Sequence, residues 1–60
     1  MSQLTQPELN SIREIAASHI TNSAKLKSYA NNCRDAKLKQ MFTTSASQAE
    51  QSATKLMQML

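Results

Sequence analysis

The stretch Thr5–Asn32, TQPELNSIREIAASHITNSAKLKSYANN, decides the fold, because it reads as one long amphipathic helix. Its start is marked three times. Thr5 stands where an N-cap belongs, and Glu8 follows three residues later, which is the spacing of a capping box. Pro7 falls in the first turn, where a missing N–H costs nothing. Leu4 and Leu9 flank the cap at hydrophobic-staple spacing. Beyond the cap, Leu9, Ile12, Ala16, His19, Ser23, Leu26, Ala30 and Cys33 recur at alternating spacings of three and four. That is a heptad seam. Ile15, Ile20 and Tyr29 widen the apolar face on both sides of it.

Asn31-Asn32 ends this pattern, since asparagine tolerates the left-handed conformation that closes helices. Asp35 is then an N-cap for a second helix, with Asn32 as the rival cap. The second seam is Leu38, Phe42, Ser45, Ala49, Ser52, Leu56 and Met59, flanked by Met41, Ala46, Ala53 and Leu60. Thr43-Thr44 is weak in helix propensity but forces no break. The expected organisation is one all-α domain over 1–60: an arm at 1–4, a helix over 6–31, a turn at 32–35 and a helix over 36–59. A connection this short makes the helices antiparallel neighbours. Folding about residues 33–34 sets large side chains together at both ends. Between them lies a waist of Ala16, Ala17, Ser23 and Ala24 against Ser45, Ala46, Ala49, Ser52 and Ala53. Two helices with apolar faces this wide leave surface for a second hairpin, which predicts a four-helix bundle, each hairpin being a half-bundle.

Sixty residues is also too short for a self-sufficient core. Such a chain buries about 60% of its unfolded surface. Below roughly 70–80 residues a core seldom supplies more than ~3–5 kcal/mol without a staple. Cys33 is the single cysteine, so no internal disulfide forms. A lone cysteine fits a reducing compartment and equally permits a bridge between chains. Association is the remaining remedy, and Ile12, Ile15, His19, Ile20, Phe42, Leu56 and Met59 are its candidate residues, in a homo-oligomer that is a dimer of hairpins.

Composition excludes several classes. There is no glycine and one proline, which favours continuous helix over loop-rich folds. The absence of a Gly-rich loop excludes a phosphate cradle of that type. No apolar run approaches the ~20 residues of a membrane span. The start MSQLTQPELN lacks the basic and apolar regions of a signal peptide, so the expected location is intracellular. The polar faces are rich in Ser, Thr, Asn and Gln where a membrane-surface helix carries lysine.

The formal charge is +3, and five of the seven basic residues, Lys25, Lys27, Arg34, Lys37 and Lys39, cluster about the turn. They read either as a solvated end or as a phosphate-binding footprint, so a nucleic-acid-binding hairpin dimer is the alternative function. His19 is the residue to test for chemistry. A dimetal carboxylate bundle needs inward glutamates and a Glu-x-x-His pair. Here Glu14 is five residues before His19, Glu50 is expected on the outer face, Glu8 is in the cap and Asp35 is at the turn. No metal or other cofactor is expected, and His19 reads as a core residue. No serine has a visible base and orienting acid, so no catalysis is expected.

The capped start LTQPEL, the central histidine, the turn NNCRDAKLKQMF and the ending LMQML together resemble the small coat-F-type spore coat proteins of endospore-forming Firmicutes. The resemblance covers about residues 4–60, and its most specific part is the turn with Asp35, Leu38, Lys39, Gln40 and Phe42. It implies a ferritin-like bundle, a structural place in or near the spore coat beside other coat proteins, and no established catalysis. The family's metal ligands do not carry over, because the inward glutamates are absent from this chain.

Overall fold

The computed structural model describes residues 3–60 and is an antiparallel pair of helices, α1 (Gln6–Asn31) and α2 (Ala36–Met57). The first two residues of the expected arm lie outside the described residues. Both capping predictions take physical form. The Glu8 N–H donates to Thr5 Oγ1 at 3.3 Å, and the Thr5 N–H donates to Glu8 Oε1 at 2.8 Å, closing the box. Asp35, not Asn32, caps α2: its Oδ1 accepts from the Leu38 N–H at 2.7 Å.

The stop of α1 differs in mechanism from the expected one. Asn32 sits at φ −101°, and no described residue has positive φ. The side chain does the closing, with Asn32 Nδ2 donating to the Ser28 carbonyl at 2.9 Å, so the helix ends without a left-handed residue. The far end of α2 stops at Met57, two residues before the expected 59. Met59 and Leu60 donate instead to the carbonyls of Leu56 and Met57, at 3.0 and 3.1 Å. These three-residue bonds tighten the last turn and satisfy carbonyls that have no α-helical partner.

The core stripe of α1 is Ile12, Ala16, Ser23 and Ala30, all on the expected seam. The stripe of α2 is rotated from the expected one. Ala46 and Ala53 are each 1% exposed, Ala49 is buried, and Phe42 and Leu56 are half-buried at its ends. Ser45, Leu38 and Met59, expected in the seam, are exposed. The reason is desolvation: a buried hydroxyl without a partner costs free energy, whereas an alanine methyl does not. Rotating α2 toward Ala46 and Ala53 keeps Ser45 in water. The small-residue waist also lets the axes approach toward ~8 Å. The Thr43 and Thr54 hydroxyls donate back to the carbonyls of Lys39 and Glu50, at 2.9 and 3.0 Å, and α2 runs through Thr43-Thr44 without a break.

The molecule measures 46 × 15 × 10 Å, one layer of helices thick. Its radius of gyration is 14.3 Å, against about 10 Å for a compact domain of this length.

Candidate functional site: an open apolar face

Two edges flank the line where the helices meet, and they differ in chemistry. On one edge Ser23 Oγ donates to Glu50 Oε1 at 3.0 Å, and the Lys27 ammonium pairs with the same oxygen. Glu50 therefore points at α1, not at the outer face expected for it. Bonds from Lys27, and then from Ser23, hold its carboxyl below the usual glutamate range. Ser23 is the buried polar side chain of the hairpin, and this bond satisfies it.

The opposite edge carries most of the large apolar groups, with Ile20 and Met57 exposed on the Lys27–Glu50 edge. Counting about 100° per residue, Ile15, Leu26 and Tyr29 fall on the side of the α1 stripe away from Lys27. By the same count Leu38, Met41, Ser45 and Ser52 fall on the side of the α2 stripe away from Glu50. Tyr29 lies against Phe42 with ring centroids 5.7 Å apart and planes tilted by 53°, yet remains 53% exposed. It therefore rests on the core without entering it. Met41 is 57% exposed beside it in the same zone. At the free end, Leu4, Pro7, Ile12, Leu56 and Met59 line a shallow groove on this same edge. The apolar face thus has two zones of large side chains, with His19 and Ser52 between them.

The candidate association residues divide among three places. Ile12 is buried within the hairpin itself, where it packs toward α2. His19, Phe42 and Leu56 are half-buried. Ile15, Ile20 and Met59 are about half exposed, but Ile20 is on the Lys27–Glu50 edge, apart from the other two. Tyr29, Leu38 and Met41, which sequence reasoning did not count among the association residues, are exposed on the open face. The five basic residues share the turn end without sharing a face. Lys25 and Lys27 point about 160° apart, as do Lys37 and Lys39, and Lys27 is held by Glu50.

The cross-helix serine bond belongs to Ser23. Among the described residues no group of three His, Cys, Asp or Glu side chains is placed to hold a metal ion. Cys33 is free and half-buried at the turn. No described helix is long and apolar enough to cross a membrane.

Fold and surface together define a class: an antiparallel helical hairpin with one polar, latched edge and one apolar, open face. No family model, no curated protein and no solved structure matches this chain.

Proposed function

We propose that this chain is a non-enzymatic structural protein that works by self-association, two hairpins sharing their open faces in a four-helix bundle. The observation that carries this reading is surface area. The hairpin exposes 4743 Å², whereas a compact protein of 6.7 kDa exposes about 3,900 Å². The excess, roughly 800 Å², equals one partner's share of a standard protein–protein interface. Ile15, Tyr29, Met41 and Met59 are about half exposed. Large contiguous apolar patches on a small domain mark interaction surfaces.

The resemblance of residues 4–60 to coat-F-type proteins supplies the setting: an intracellular protein of the spore coat or its margin, in the company of other coat proteins. A fluorescent fusion in sporulating cells should gather around the forespore, and a diffuse signal throughout sporulation would remove that setting.

The association itself is tested by melting the purified chain at several concentrations. Association shifts folding by mass action. The melting temperature should climb as concentration rises a hundredfold. A melting temperature independent of concentration would reject the bundle.

A further inference from the structure

The open face also specifies how two copies meet. Resting on the self-association just proposed, we infer that a second copy of this chain docks antiparallel on the Tyr29–Met41 face, about a twofold axis crossing the hairpin near His19 and Ser52. The turn of each copy then lies over the free end of the other. Three observations lead there.

The first is the matching of zones. His19 stands halfway along α1. Leu26, Tyr29 and Met41 lie toward the turn from that level, and Ile15, Leu56 and Met59 lie toward the free end. Inverting one hairpin end for end sets the first group over the second. The small or polar Ser52 and His19 then meet in the middle, where the faces must come closest.

The second is charge. The turn half holds Lys25, Lys27, Arg34, Lys37 and Lys39 against Asp35 and Glu50, the latter engaged by Lys27. The free half holds Arg13 and Lys55 against Glu8 and Glu14. Parallel docking stacks two cationic turns. Antiparallel docking places each turn over a balanced end, where Glu8 lines the apolar groove. Like charges facing each other at an interface cost free energy and exclude that arrangement.

The third is area. The surplus surface suffices for one standard interface and not for two. One shared face per copy closes a twofold pair, which leaves the Lys27–Glu50 edge in water.

The native thiol of Cys33 reports the orientation without mutation. It stands 14 residues from the level of His19, about 21 Å along the axis. A nitroxide on Cys33 in each copy should give a spin–spin distance of about 40 Å in the antiparallel pair. A distance under about 20 Å means parallel docking and overturns this inference while leaving self-association standing. An absence of any intermolecular distance, with a monomer by light scattering, overturns both. The face is tested in the same way. Met41→Glu on the open face should dissociate the pair by tenfold or more. Met57→Glu, on the edge beside Glu50, should leave it intact. The reverse outcome, or an equal effect of both, overturns the assignment of the face, and circular dichroism checks that both variants remain helical.

Discussion

At the residue scale, two carboxylates do most of the local ordering. Glu8 completes the cap of α1, and the backbone and hydroxyl of Thr5 hold its pKa below the ordinary value of 4.5. Glu50 is lowered by Lys27 and Ser23. A group whose folded pKa is depressed contributes stability that is present above its unfolded pKa and is lost as pH falls through the folded one. Acid should therefore lower the melting temperature, starting as pH drops below about 4.5 and finishing only below the lowered folded values. Glu8→Gln keeps the capping-box geometry, because glutamine can also reach back to the N-cap amide, but removes the titration. Its acid loss, followed by far-ultraviolet circular dichroism, should be shallower than that of the parent. An identical acid profile would mean that the cap carboxylate contributes nothing. The Lys27–Glu50 pair is about half exposed on both partners, so solvent screens it. Its main consequence is register: with the Ser23–Glu50 bond, which spans 27 residues of sequence, it ties the two helices together on one edge only.

At the scale of elements, much was legible in the sequence and the reasons are specific. The cap of α1, its span to Asn31 and the cap of α2 at Asp35 follow from local chemistry, which short-range residue patterns record. The rotation of α2 was not legible by the same route. Two stripes run down that helix at the same three-and-four spacing, one through Ser45 and Ser52 and one through Ala46 and Ala53. Periodicity alone does not choose between them. The cost of burying Ser45 chooses, and a seam drawn through Ala46 and Ala53 would also have turned Glu50 toward α1. The end of α2 was missed because the last residues switch to three-residue bonds. At the waist the structure makes a sharp demand. Ala53 is 1% exposed, so Ala53→Leu should overpack the contact and destabilise the hairpin by about 1–3 kcal/mol. Ala17→Leu, at an exposed position of α1, should change little. Calorimetry that shows equal melting temperatures for the two variants would mean the waist is not closely packed.

At the scale of the whole molecule, a single layer of helices leaves most of its side chains without an inside to occupy. The apolar face at Tyr29 and Met41 and the groove at Leu4 and Met59 are parts of one surface, and the cationic turn at one end sets how two such surfaces align. Salt should therefore change the antiparallel pair little. Screening grows between about 0.05 M and about 0.5 M salt, and a cationic turn over a balanced end leaves it little to screen. In a parallel arrangement the same change would relieve repulsion between the two turns and tighten the pair markedly, so the size of the salt effect on the dissociation constant decides between them. The association residues were only partly legible in the sequence. Ile15 and Met59 are open, Ile12 is enclosed by its own chain, and Ile20 lies on the other edge. Tyr29 and Met41 emerged only with the rotation of α2 and the stacking of Tyr29 on Phe42.

The central claim is that the hairpin completes itself with another copy, and sedimentation equilibrium of the untagged full chain at micromolar concentration measures that directly. The account predicts a helical particle of twice the 6.7 kDa chain mass that dissociates on dilution. A stable, fully helical particle of 6.7 kDa across the whole concentration range would contradict it.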